Sequence, residues 1–318
     1  MSPWGFQIKR MSMKKNIIWL LAVVCLAACM QEEIDSGQQP EAIAFGGTFT
    51  EYATRASSFN EPILEGFNVW GFMNNTSAPL FEGTEVKLEG AEWTYEGDDR
   101  YWIPGQLYYF AALAPMDSPN ISLELASNGN AETGLGILTF TNDKGEEDLL
   151  YSKYHNTAIP FGNDPVSFNF NHLLAKVKIS FNNQLNNDDV TLRVSDIKIC
   201  APKIASIDLT ADQLYWHTPA SSAEFDFAPV EIKGNGTKST EDLFMIPASS
   251  EYSYDISFDI DIVKDGTEEI IYHSTKISKI TGVSFEMGSA YNLSTTINPD
   301  ITNTDTRKRQ ADWKVSPE

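Results

Sequence analysis

The stretch Tyr254-Asp-Ile-Ser-Phe-Asp-Ile-Asp-Ile262 decides the fold class. Side chains on an extended chain alternate between two faces, so Ile256, Phe258, Ile260 and Ile262 share one side while Asp255, Ser257, Asp259 and Asp261 share the other. A clean apolar-in, polar-out alternation belongs to an antiparallel strand with one face in the core and one in water. Lys264-Asp-Gly-Thr267 then supplies an Asp-Gly turn, and Glu269-Ile-Ile-Tyr-His-Ser-Thr-Lys-Ile277 returns as its partner. Segments of the same kind run from Phe67 to Met73, Gln106 to Leu113, Ile121 to Leu125, Gly136 to Thr141, Val190 to Ile199 and Tyr291 to Ile297. Almost nothing from Glu41 onward repeats apolar residues at helical spacing, so the body is predicted to be all-β.

Ile159-Pro-Phe-Gly-Asn-Asp-Pro165 interrupts the pattern before an apolar segment begins at Val166. This places a boundary between two sandwiches, residues 41–165 and 166–318. Within Phe168 to Phe181 the alternation slips at Leu173-Leu174, which predicts a bulge or bend. His172, just before the slip, reads as a packed structural histidine.

The opposite end of the chain carries an export address. Lys14-Lys15 precede the apolar run from Ile17 to Ala28, the pattern of a secretory signal over residues 1–28. The run is shorter than the roughly 20 residues that span a bilayer. Its close, Leu26-Ala-Ala-Cys29, resembles the bacterial lipobox, in which the cysteine is acylated and becomes the new N-terminus. Met11 or Met13 sets the lysines nearer the start than Met1 does. Residues 29–40 are polar and poor in core formers, as in a flexible tether. With Cys25 in the leader and Cys29 carrying lipid, Cys200 is the only thiol left in the body and no internal disulfide is available.

A net charge of −21 excludes a nucleic-acid binder, because displacing counterions from phosphates needs a basic surface. Catalytic and metal-binding patterns are missing too. His155, His172, His217 and His273 lack metal-ligand spacing, and there is no Cys-x-x-Cys, nucleophile elbow or phosphate loop. Asp98-Asp99, Glu146-Glu-Asp148 and Asp188-Asp189 sit in turn-like contexts without an ordered calcium-loop pattern, so they read as solvated loops. No catalytic residue, metal or cofactor is expected.

Several stretches, in this order, resemble the fimbrillin family of Bacteroidales, the subunits of type V pili. They are Ile43-Ala-Phe-Gly-Gly-Thr-Phe49 with Thr54-Arg-Ala56, and Gly66-Phe-Asn-Val-Trp-Gly-Phe-Met73. Then come Trp93, Tyr101-Trp-Ile-Pro104, Tyr108-Tyr-Phe-Ala-Ala-Leu-Ala-Pro115, Asp148-Leu-Leu-Tyr-Ser152, Val166 to Ile179 and Phe285-Glu-Met-Gly-Ser-Ala-Tyr-Asn-Leu293. The resemblance implies two transthyretin-like antiparallel β-sandwich domains and export as an outer-membrane lipoprotein. It also implies maturation by an arginine-specific protease and assembly into a surface fimbria with other pilin subunits, probing host or bacterial ligands. It implies a subunit and not a catalyst.

The same residues support that mechanism physically. Residues 41–55 read as a removable first strand, with Ile43, Phe45 and Phe49 in one phase. A cut between Arg55 and Ala56 releases it and leaves unpaired backbone and open apolar pockets. The tail, residues 310–318, is a candidate donor strand, with Ala311, Trp313 and Val315 on one side and Asp312 and Lys314 on the other. The alternative is that the tail is the subunit's own edge strand, and Arg307-Lys-Arg309 reads as a solvated basic turn. A competing function is a surface lipoprotein that binds carbohydrate through exposed aromatics, with Trp70, Trp93, Trp102 and Trp216 as candidates.

Overall fold

The computed structural model describes residues 40–46, 64–74, 76, 78–126, 134–217, 219–299 and 313–317. These form twenty strands and no helix, so no helix among the described residues is long and apolar enough to cross a membrane. In chain order they begin with β1 (Phe45–Gly46), β2 (Gly66–Met73), β3 (Phe81–Glu89), β4 (Glu92–Tyr95), β5 (Leu107–Ala114), β6 (Ile121–Leu125) and β7 (Gly136–Thr141). Next are β8 (Leu150–Thr157), β9 (Val166–Ser167), β10 (Asn171–His172), β11 (Ala175–Asn183), β12 (Val190–Asp208), β13 (Ser221–Phe227) and β14 (Val230–Lys233). The last six are β15 (Gly236–Ser239), β16 (Leu243–Met245), β17 (Tyr254–Lys264), β18 (Glu269–Ile280), β19 (Ala290–Ile297) and β20 (Lys314–Pro317).

β17 follows its sequence. Tyr254, Ile256, Phe258, Ile260 and Ile262 are buried, whereas Asp255 is exposed and Asp259 and Asp261 are half-exposed. The Asp-Gly turn closes with Gly266 at φ +81° and leads into β18, which pairs with β17 in antiparallel register from Tyr254 opposite Ile280 to Lys264 opposite Glu269. β12 is longer than the predicted strand ending at Ile199. Its first half pairs with β17 on one edge and β14 and β13 on the other, and its last five residues pair with β7.

Three sheets result. The first has the order β10-β8-β5-β2-β3-β4-β1-β9, the second runs β18-β17-β12-β7-β6 with β13 and β14 also on β12, and the third runs β15-β11-β19-β20 with β16 on β11. The second and third enclose one core, where Phe181 of β11 meets Phe258 of β17 at 5.1 Å. β5, inside the first sheet, is buried on both faces. Phe110 and Ala112 enter a core with β1 and Phe168, while Ala111 and Leu113 enter another with Leu138, Phe140 and Ile207 from the β7–β12 region. Burial on both faces is why Tyr108 to Ala114 lacks alternation.

Most pairing is antiparallel, with two parallel exceptions. β1 runs parallel to β9, and β11 runs parallel to β19 over eight residue pairs. The loop at residues 160–165 does not sort the strands by sheet. β6 and β7, which precede it, lie in the sheet of β12, while β9 and β10, which follow it, lie in the first sheet. The slip at Leu173-Leu174 marks where the chain leaves β10 in the first sheet and enters β11 in the third, and both leucines are buried.

Candidate functional site

Phe45, in the two-residue strand β1, and Ile43, two residues before it, are buried at 5% and 1% exposure. Phe45 is ringed by Phe81 at 5.3 Å, Tyr95 at 5.7 Å, Phe67 at 6.1 Å, Phe168 at 6.2 Å and Phe110 at 6.3 Å between centroids. Most of these contacts are edge-to-face, the geometry the ring quadrupole favours. Burying a Phe and an Ile side chain contributes about 1.5–3 kcal/mol each.

Backbone bonds flank the same residues on both sides. The Ile43 N–H donates to the Arg100 carbonyl at 2.6 Å, the Trp102 N–H donates to the Glu41 carbonyl at 2.9 Å, and the Val166 N–H donates to the Ala44 carbonyl at 2.8 Å. The Tyr95 hydroxyl donates to the Ile43 carbonyl at 3.2 Å. Asn163 donates from its side chain and its backbone to Glu41 Oε2, at 2.8 and 2.9 Å, and these bonds hold the Glu41 carboxyl below the usual carboxylate range. β1 is thus an insert between β4, antiparallel at Phe45 opposite Trp93, and β9, parallel at Phe45 opposite Val166. A chain lacking residues before Ala56 has no β1, and β4 and β9 then face each other across a gap one strand wide.

The C-terminal strand is the second element. Among the described residues β20 pairs with β19 alone, with Val315 opposite Leu293 and Lys314 opposite Ser294, and it forms the outer edge of the third sheet. Trp313 and Val315 are half-buried against the core and Lys314 is exposed, the two-sided phase expected from the sequence. Trp313 meets Phe258 edge-to-face at 6.1 Å. Its indole Nε1 is buried with no hydrogen-bond partner among the described residues. Here the tail lies on its own chain as an edge strand. Cys29, Arg55, Ala56, Ala311 and the Arg307–Arg309 run fall outside the described residues.

The structure sorts the four candidate tryptophans. Trp102 is a core residue at 4% exposure, packed on Tyr108 at 4.7 Å, so it offers no face to a ligand. Trp93 packs on Phe67 at 5.2 Å, and Trp70 lies over Gly83 against the core shared with β7. Trp216 lines a surface cleft.

His172 is buried with its Nδ1 2.5 Å from Asp148 Oδ2, a structural contact that ties β10 to the segment before β8. Glu147 of the same acidic cluster accepts from Asn120 Nδ2 at 2.7 Å. Among the described residues no group of three or more His, Cys, Asp or Glu side chains has a geometry that holds a metal. Cys200 is half-buried, and burial pushes its thiol above the usual range.

Sequence reasoning did not find the aromatic nest around Phe45. Its members come from β2, β3, β4, β5 and the segment after β9, so no local spacing joins them; the one signal is the density of aromatics on those strands.

A sequence-family profile described as fimbrillin-like matches residues 54–313. Among solved structures the fold is similar to a fimbrial protein from Bacteroides vulgatus, with a TM-score of 0.59 and 17% identity, covering 87% of this chain and 99% of that one. It is also similar to a predicted cell adhesion protein from Bacteroides uniformis, with a TM-score of 0.52 and 16% identity, covering 90% and 99%. At these identities the likeness is one of fold. No curated protein matches the chain.

Proposed function

Because the chain belongs to the fimbrillin-like family, we propose that it is a structural subunit of a cell-surface type V pilus. In this reading it is exported as a lipoprotein on Cys29, trimmed between Arg55 and Ala56 by an arginine-specific protease, and polymerised with other pilin subunits by strand exchange. In this reading it works as two transthyretin-like sandwich bodies, residues 41–165 and 166–318, which exchange strands: β6 and β7 of the first lie in the sheet of β12, and β9 and β10 of the second lie in the first sheet.

The observation that carries this reading is the position of β1. Ile43, just before β1, and Phe45 within it fill an aromatic nest while the segment from Glu41 to Gly46 bonds to neighbouring strands on both sides, so its loss opens deep pockets and frees backbone groups together. The vacated positions i and i+2 match the phase of Trp313 and Val315, and a strand added from a neighbour uses backbone bonds for affinity and alternate pockets for specificity. Each such junction is head to tail, so the assembly does not close and grows as a filament. The tail held on its own edge by four residue pairs is the donor before release. While lipid, tether and first strand remain joined, the subunit stays capped at the outer membrane.

The test is limited digestion with an arginine-specific protease. The reading expects a new N-terminus at Ala56, followed by oligomers that form only when residues 310–318 are present. A chain that stays monomeric after the cut, or that oligomerises equally well without its tail, defeats it.

A further inference from the structure

A cleft of about 260 Å³ opens between the segment after β12 and the loop before β17, away from β1 and β20. Its walls are Trp216, His217 and Pro219 on one side and Ser249, Glu251 and Tyr252 on the other. Neither aromatic platform is loose. Trp216 lies opposite Ile207 in an antiparallel bridge, and its Nε1 donates inward to the Leu173 carbonyl at 2.7 Å. The His217 N–H donates to the Ser206 carbonyl at 2.8 Å, and the His217 ring stands edge-on to Tyr215 at 5.3 Å. Across the cleft, Tyr252 N–H donates to the Ser249 carbonyl at 2.9 Å, a turn that sets Glu251 on the rim. The Tyr252 hydroxyl lies 2.7 Å from Ser222 Oγ and its ring packs on Tyr254 at 4.8 Å.

We propose that this cleft binds a single neutral sugar ring, stacked on Trp216 and Tyr252 and hydrogen-bonded by Glu251, Ser249 and His217. Its volume is below the ~300–1,000 Å³ of pockets for drug-sized ligands, which suits one ring and not an extended molecule. The polar groups decide the chemical class. An organic cation wants aromatic faces and acceptors only. This cleft also supplies donors, the Ser249 hydroxyl and an imidazole N–H of His217, beside the acceptor-only Glu251 carboxylate. That mixture complements vicinal hydroxyls, each of which donates and accepts. Glu251 has no ion pair among the described residues, so its carboxylate is available, and its charge excludes acidic sugars. Fixing both rings before binding reduces the ordering cost of a weak ligand.

The test titrates the purified chain, by tryptophan fluorescence and saturation-transfer NMR, with D-galactose, D-mannose, L-fucose, N-acetyl-D-glucosamine, N-acetylneuraminic acid and choline. Saturable binding of at least one neutral sugar is expected, weakened at least tenfold by Glu251→Gln and by Tyr252→Ala, and unchanged by Phe161→Ser, an exposed position that does not line the cleft. Trp216→Ala should abolish it. Because that change removes an inward anchor, the two rim variants, checked for parental melting, carry the decision. No binding by any neutral sugar, binding unaffected by both rim variants, or binding of choline in preference to the sugars overturns the proposal.

Discussion

Phe45 stacks on Phe168 with ring centroids 6.2 Å apart and planes 14° from parallel. It is the one stacked contact among the five rings around Phe45, and it joins the first strand to the segment just after β9, more than a hundred residues later in the chain. The parallel β1–β9 pairing, with Phe45 opposite Val166, brings the two residues together, so side-chain packing and backbone pairing hold the first strand jointly.

If so, Phe45→Ala removes the plug while leaving the backbone bonds of Ile43 and Ala44. A Phe→Ala change in a closed core costs about 3–5 kcal/mol, because the lost transfer energy adds to the cavity left behind. Urea denaturation should show a fall of that size for Phe45→Ala. Phe161→Ser, at a side chain 61% exposed, should stay within about 0.5 kcal/mol.

The close approach of Gly46 to Pro165 makes a second prediction. A Cβ at residue 46 lies 2.9 Å from Pro165 Cβ, a distance that forces one strand to move. Gly46→Ala should therefore destabilise by about 1–3 kcal/mol, the usual cost of overpacking. Pro165→Ala retains the offending Cβ and should not relieve it, whereas Pro165→Gly should. A double-mutant cycle reads this as a favourable coupling for the Gly46→Ala, Pro165→Gly pair only.

Legibility in the sequence followed burial on one face or two. β17, exposed on one side, announces itself through Asp255, Asp259 and Asp261, and its hairpin follows from Asp265-Gly266. β5 gives no phase because Phe110 and Ala111 enter different cores, and the second half of β12 continues past Ile199 to a new partner, β7. The tail's phase at Trp313 and Val315 was readable, since one side faces the core and the other faces water. The nest around Phe45 was not, because a parallel pairing of Phe45 with Val166 leaves no mark at either segment. Trp102 shows the limit from the other side. A candidate exposed aromatic by its sequence, it is buried at 4% exposure, with its N–H bonded to the Glu41 carbonyl of the segment before β1.

Trp313 tests how the tail is held. Its ring packs on Phe258, but its buried Nε1 has no partner among the described residues, so the indole N–H contributes desolvation without a bond. Trp313→Phe keeps the ring contact and discards the unpaired donor, and should cost less than about 1.5 kcal/mol. Trp313→Ala loses the contact and should cost about 2 kcal/mol, roughly half the figure for a fully buried aromatic. Amide hydrogen exchange at β19, the partner of β20 among the described residues, should accelerate in Trp313→Ala and not in Trp313→Phe.

His273 gives the pH dependence. It lies opposite Asp261 across the β17–β18 ladder with Nδ1 2.7 Å from Oδ1, and this hydrogen bond, with the nearby charges of Asp261 and Asp259, raises its pKa above the ordinary 6.5. A histidine whose pKa is higher folded than unfolded binds its proton more tightly in the native state. The resulting stability is fully present below about pH 6.5 and is lost as pH rises through the folded value. NMR titration of the His273 ring should give a midpoint above 6.5, and Asp261→Asn should bring it down. The same variant should flatten that segment of the stability profile, and an unchanged midpoint in Asp261→Asn would show that the pair is not what raises it.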